Sequence, residues 1–378
     1  LGGEVTEPVA VFVLEHVEDF PGVVVESVPV RTYPQGETGA HVIGYIGAPA
    51  DEDLEREGMT ARDRVGRFGI EKEYDSLLRG TPGRTTYRVN AAGEILGIID
   101  EVPARAGGTA ITNIDIGLQD FVETALYDGM SLSRRDGKQP LRAAAVVLDP
   151  RNGAVLAMAT SPSFDQEAFV RGLSPQDWKA LSQSPDHPLL NRALVAAYPP
   201  GSTYKPVVAL GVLQEDLIKP SNAVHCPGYF PFAGRNYRCW RERGHGTVSL
   251  HQAIVQSCDV YFYQAGMKLG VDRIAKYARM LGLGQPSGLG LDREHLGLIP
   301  TAAWKEKATR IPWQKGETLS LAIGQGFDLA TPLQMAVAYA TIASDGKLWQ
   351  PYIVRRIEGA RADEVKDLAG KVRANTFD

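Results

Sequence analysis

The stretch Tyr198-Pro199-Pro200-Gly201-Ser202-Thr203-Tyr204-Lys205-Pro206 constrains this chain more than any other part, because a rigid Pro-Pro-Gly turn runs straight into Val207-Val208-Ala209-Leu210-Gly211-Val212-Leu213. The apolar run reads as a helix. On a helix, positions three apart share a face, so the Ser202 hydroxyl and the Lys205 amine are expected to meet. A neutral lysine beside a serine is a base beside a nucleophile. The positive end of the helix disfavours the ammonium and favours an oxyanion forming nearby. Ser-x-x-Lys also arises by chance, and a serine at a helix start is ordinarily an N-cap. The pair therefore gains its meaning from the rest of the chain.

The 378 residues leave room for two or three domains. With 44% hydrophobic and 22% charged residues the composition is that of a globular protein, and a net charge of -5 argues against nucleic acid as the main partner. No apolar run reaches 18 residues and no signal peptide is visible, so nothing in the sequence reads as a membrane span. The chain opens at Leu1 without a methionine, and the expectation is a trimmed chain from which an anchor could have been removed.

Residues 1–110 are rich in Val, Glu, Gly and Pro, and Val9–Glu15 and Val23–Val30 read as short strands. Gly69–Gly80 reads as a helix closed by its glycine, and Gly107-Gly108 marks the expected boundary between domains at 1–110 and 111–378. The second region begins Thr112-Asn113-Ile114-Asp115, with an amphipathic helix from about Gly117 to Arg134. Ala143–Leu148 and Ala154–Ala159 then flank Asp149-Pro150-Arg151-Asn152-Gly153, a hairpin signal. The pattern after that is helical and loop-rich until strand signals return near Trp349 to Ile357. Strands at both ends with helices between them predict a layered α/β domain with an antiparallel sheet.

All three cysteines fall in one short region, where Cys226, Cys239, His245 and Cys258 form Cys-x12-Cys-x5-His-x12-Cys. Three thiolates and an imidazole make a closed tetrahedral set suited to structural zinc. The loop from Cys226 to Gly246 has few apolar residues, so a metal would give it order. The alternatives are a Cys226–Cys239 disulfide with one free thiol, three unrelated reduced cysteines, or His225 as the imidazole.

Taken together, these segments closely resemble the class B penicillin-binding proteins, most of all the elongation branch. The resemblance covers nearly the whole chain. It rests on Arg31-Thr32-Tyr33-Pro34, Ala40–Gly47 and Gly69–Asp75 in the first region. In the second it rests on Thr112–Asp115, Val147–Pro150, Pro200–Lys205, Ile323–Gly326 and Thr331–Ala336. The implied fold is multi-domain α/β: a penicillin-binding transpeptidase domain of the serine β-lactamase type, behind an N-terminal α+β pedestal, or dimerisation, domain. The family's second motif, Ser-x-Asn or Ser-x-Asp, is matched by Ser257-Cys258-Asp259, so Cys258 would tie a metal to that motif. Zinc sites in the same segment, with ligands that can include aspartates, are part of the resemblance.

The family's third motif, Lys-Thr-Gly or Lys-Ser-Gly, does not occur; the resemblance places it downstream of Gly324-Gln325-Gly326. That strand normally supplies one oxyanion-hole donor, worth on the order of 3 kcal/mol of barrier, so the chain as it stands is expected to be poorly active.

The implied function is a DD-transpeptidase. Ser202 attacks the D-Ala-D-Ala carbonyl of a peptidoglycan stem peptide, Lys205 takes its proton, Ser257 relays a proton to the leaving amine, and Asp259 orients the network. β-Lactam antibiotics would acylate Ser202. The implied location is the outer face of the bacterial cell membrane, beside a membrane glycosyltransferase. Rival readings are the division-specific branch, a non-catalytic cell-wall scaffold and a serine β-lactamase. Trp304-Lys305 and Trp313–Glu317 favour elongation, and the long first region argues against the β-lactamase. Tyr204 and Tyr261 read as core or wall residues, Asp115 and Asp149 as turn closers, His41 and His251 as structural, and Glu71 and Lys72 as a solvated helix face or an interdomain contact.

Overall fold

Ala143–Leu148 and Val155–Ser161 pair antiparallel, as alternation around an Asp-Pro-Arg-Asn-Gly turn requires. The turn closes through the Asp149 N–H, which donates to the Ala154 carbonyl at 2.9 Å, while the Asp149 carboxylate accepts from the Arg151 N–H at 2.9 Å. Val155, Ala157, Met158 and Ala159 are buried. Against them lies the helix Ile116–Ser133, whose buried Gln119 imitates a strand: its amide donates to the Met158 carbonyl and accepts from the Met158 N–H. This computed structural model describes residues 5–25, 30–56, 58–61, 63–92, 95–133, 142–291, 293–359 and 365–377. Arg134, the expected helix end, lies outside them.

The strand signal near Trp349 resolves into Lys347–Gln350, paired with Lys371–Asn375, and Val354–Glu358, flanked by Thr109–Thr112 and Val365–Asp367. These pairings are all antiparallel, and the strand Thr109–Thr112 spans the expected domain junction. A helical core carries the site residues Lys205 and Asp259. Lys205–Gln214, Asp259–Leu269, Val271–Met280 and Lys315–Leu321 bury Val208, Val212, Phe262, Ala265, Ile274, Leu319 and Ala322 together.

The first region departs from its sequence reading. Val9–Glu15 is not a strand but part of the helix Glu7–Glu15, with Pro8 in its first turn. Among the described residues these apolar positions pair with no strand, and a helix satisfies its backbone groups internally. Val23–Val25 and Val30 are not in a strand, and 26–29 lie outside the described residues. The segment 69–80 is two short helices, Gly69–Glu73 and Asp75–Leu78, and Gly80 ends them at φ +75°. Glu71 is not on a solvated face: it is buried and ion-paired with Arg31 at 2.8 Å, and burial raises its pKa.

The two regions share a core in which Val42 and Ile70 pack with Val155, Met158 and Leu194. Tyr45 stacks on Phe169 with ring centroids 3.7 Å apart. The His41 Nε2–H donates to the Pro188 carbonyl at 2.7 Å, and the Asn191 amide donates to the His41 carbonyl at 3.1 Å. Among the described residues no helix is long and apolar enough to cross a membrane.

Candidate active site and metal centre

Ser202 sits in a single 3-10 turn, Gly201–Tyr204, that runs directly into the helix Lys205–Gln214. The turn exposes Ser202 and Thr203 and buries the next two residues: Tyr204 is fully buried and Lys205 is 2% exposed. Gly201, at φ +59°, donates its N–H to the Gly324 carbonyl at 2.8 Å. A Cβ on Gly324 would lie 2.2 Å from the Gly201 carbonyl oxygen, so the glycine lets two backbones touch behind the serine. The Tyr339 hydroxyl donates to the Thr203 carbonyl at 2.9 Å and braces the turn from the other side.

The Lys205 amine points inward. Nζ donates to Ser257 Oγ at 2.9 Å, to the Ser257 carbonyl at 2.9 Å and to Asp259 Oδ1 at 2.7 Å. Three acceptors, one of them a carboxylate, match the three N–H donors of an ammonium. The amine thus faces Ser257 and Asp259, within salt-bridge distance of the carboxylate, and not the Ser202 hydroxyl that the helix spacing suggested. Among the described residues no hydrogen bond joins Ser202 Oγ to Lys205; the buried second motif offers the lysine better acceptors than an exposed hydroxyl.

Ser257 adopts φ +51°, a left-handed conformation uncommon outside glycine and frequent at functional sites. Cys258 is the N-cap of the helix Asp259–Leu269, so the second motif spans the entry to that helix. The second carboxylate oxygen of Asp259 accepts from the Trp240 backbone N–H at 3.0 Å, and the indole Nε1–H reaches the carbonyls of Gln256 and Ser257, each at 3.1 Å. Sequence reasoning passed over Trp240; its place directly after Cys239 was the available signal.

Cys226 ends the strand Ala223–Cys226, which pairs with Gly246–Ser249, and Cys239 follows the strand Arg235–Arg238. These short hairpins bring Cys226, Cys239, His245 and Cys258 together, with all four ligand atoms within 4.8 Å of one another. His245 Nδ1 lies 3.6 Å from the Cys226 sulfur and 3.5 Å from the Cys239 sulfur. Tetrahedral zinc with bonds of about 2.0–2.3 Å sets ligand atoms about 3.5–3.8 Å apart, so the set fits that ion. All three thiols are free, and His225 is exposed and outside the cluster. Burial pushes the Cys258 thiol up to about 12, and burial with nearby Arg241 lowers His245, a shift toward the neutral imidazole that a metal ligand requires. A bound dication would reverse the cost of the thiolates.

A lysine-bonded second motif close behind an exposed serine, on a helical core flanked by antiparallel strands, is the layout of a penicillin-binding protein fold. The chain belongs to the penicillin-binding protein transpeptidase family. Residues 143–377 match the penicillin binding protein transpeptidase domain, and residues 1–111 match the penicillin-binding protein dimerisation domain.

The peptidoglycan D,D-transpeptidase MrdA of Acinetobacter baumannii is 38% identical over 365 residues, 95% of this chain and 52% of that protein. The protein of that name in Escherichia coli K12 is 36% identical over 344 residues, 89% of this chain and 52% of the relative. The chain thus spans about half the length of the curated relatives it matches. In a solved complex of penicillin-binding protein PBP2 with MreC from Helicobacter pylori, the matching chain is 31% identical with a TM-score of 0.82, covering 95% of this chain and 66% of that one. Pseudomonas aeruginosa PBP2, solved with WCK 5153, is 35% identical with a TM-score of 0.72, over 93% of this chain and 73% of that one.

Proposed function

We propose that this chain carries the acylation machinery of a peptidoglycan D,D-transpeptidase of the elongation type. The observation that carries the reading is the buried Lys205 amine, 2.9 Å from Ser257 Oγ and 2.7 Å from Asp259, one turn beyond an exposed Ser202. Moving one proton from Nζ to Oδ1 along the existing hydrogen bond yields the neutral amine that a base requires. Ser202 Oγ then bonds to the carbonyl carbon of the penultimate D-alanine as Lys205 takes its proton. The C–N bond breaks, a proton passes through Ser257 Oγ to the departing nitrogen, and D-alanine leaves. An amine of a neighbouring strand attacks the ester, its proton returns to Ser202 Oγ, and a cross-link remains. β-Lactams stop at the ester because their leaving nitrogen stays tethered.

Labelling the full-length protein with a fluorescent penicillin tests this reading. The expected result is one stable adduct in the wild type and none in Ser202→Ala; an unlabelled wild type, or equal labelling of the variant, rejects it. The relatives named MrdA and PBP2 support the elongation type over the division branch. A place on the outer face of the cell membrane, with a membrane glycosyltransferase as partner, belongs to the same proposal and rests on the family resemblance alone.

Structural zinc held by Cys226, Cys239, His245 and Cys258 belongs to the same proposal. It would supply a charge-neutralising cross-link between the hairpins and the second motif, with no part in bond making. Protein purified without chelator is expected to carry about one zinc per chain, and Cys239→Ser to lose both the zinc and several kcal/mol of stability. Wild type with no zinc removes the idea.

A further inference from the structure

We propose that Trp240 is a positioning residue for acylation, setting the carbonyl of Ser257 and the carboxylate of Asp259 so that the Lys205 amine is held between them. The inference rests on the transpeptidase reading above.

Hydrophobic burial does not hold this indole, since Trp240 is 65% exposed. What holds it is directional. Its ring N–H is shared by the carbonyls of Gln256 and Ser257, which follow the short helix Leu250–Val255 and have no helical partner of their own. The edge of its ring meets His245, with centroids 5.4 Å apart at 66°. The Ser257 carbonyl therefore receives two donors, the indole and Lys205 Nζ. That clamp maintains a residue at φ +51°, which no hydrophobic contact would enforce.

The Trp240 backbone N–H meanwhile occupies Asp259 Oδ2 and leaves Oδ1 for the lysine. One residue adjoining Cys239 thus fixes two of the three acceptors that surround Nζ. The exposed edge of the catalytic network is held from the metal hairpin, and its buried side from the helix Lys205–Gln214.

Trp240→Phe removes the ring N–H, leaves the backbone N–H and preserves an aromatic ring beside His245. The measurement is the rate of penicillin acylation against concentration in the full-length protein, which separates initial binding from the acylation constant, with zinc content and melting temperature recorded alongside. The acylation constant should fall about ten-fold, the weight of one hydrogen bond, with binding, zinc content and melting temperature unchanged. An unchanged acylation constant overturns the proposal, as does a loss confined to the binding step, which would make the indole a substrate-contacting wall. If Trp240→Phe loses zinc, Trp240→Tyr is the second variant, under the same criteria; loss of zinc in both makes the residue a metal-loop brace and overturns the role. A wild type that takes no penicillin rejects the transpeptidase reading itself, whereas normal acylation of wild type and variant alike rejects only the role of Trp240.

Discussion

Lys205 is the residue on which the site turns, because its amine is buried and, among the described residues, Asp259 alone is ion-paired with it. Nζ and Asp259 Oδ1 are 2.7 Å apart, and the lysine side chain is 2% exposed. Removing one member of such a pair strands the other charge, at about 3–5 kcal/mol, whereas removing both is far milder. Asp259→Asn is therefore expected to lower stability by about 3 kcal/mol. Asp259→Asn with Lys205→Met should recover most of that loss yet remain dead to penicillin. Urea unfolding of the two variants decides it: a double variant no more stable than Asp259→Asn contradicts the account. Ser202, Lys205, Ser257 and Asp259 were all legible as motif residues. The direction of the lysine was not, because spacing along a helix gives the face a side chain leaves from and says nothing about the acceptors waiting in another segment. Trp240 escaped for a related reason: its hydrogen bonds reach residues 16 to 19 positions away.

At the scale of elements, the nucleophile turn depends on how closely another loop can approach it. Gly324 sits at φ +68°, and an added Cβ would lie 2.2 Å from the Gly201 oxygen and 2.7 Å from Tyr204 Cβ. Gly326, at φ +81°, would meet nothing nearer than Ser320 Cβ at 3.7 Å. Gly326→Ala is thus expected to carry only the backbone term, about 1 kcal/mol. Gly324→Ala adds displacement of the turn, for a loss of about 3 kcal/mol or more and slowed acylation. Equal melting temperatures for the two variants would show that the loop is not packed as described. The hairpin Ala143–Ser161 was readable because both of its strands and its turn are local. The Glu7–Glu15 helix was not: its run of Val, Phe and Leu satisfies a strand pattern equally well, and among the described residues no strand pairs with it.

For the whole molecule, the decisive fact is that the two regions are fastened through buried polar contacts as well as apolar ones. His41 packs against the Phe68 and Phe164 rings, 3% exposed, with its ring nitrogen tied to the Pro188 carbonyl across the junction. Burial, with nearby Arg192 adding to it, lowers the pKa of this imidazole to about 4. The folded value lies below the unfolded one of about 6.5, so the unfolded chain binds the proton first on acidification. The stabilisation is whole above about pH 6.5 and is lost as pH falls toward 4, by up to about 3 kcal/mol. Glu71 and Glu123, whose pKa values burial raises, act in the opposite sense, and they do so equally in wild type and in a His41 variant. His41→Gln keeps an N–H donor for Pro188 and cannot titrate. Its stability, measured by urea unfolding at pH 7 and pH 4.5, should therefore fall less than that of the wild type, by about 2–3 kcal/mol. Parallel pH profiles for the two proteins would mean that the junction opens to water before the imidazole is protonated, and that the shared core around Val42 and Ile70 holds the regions together without it.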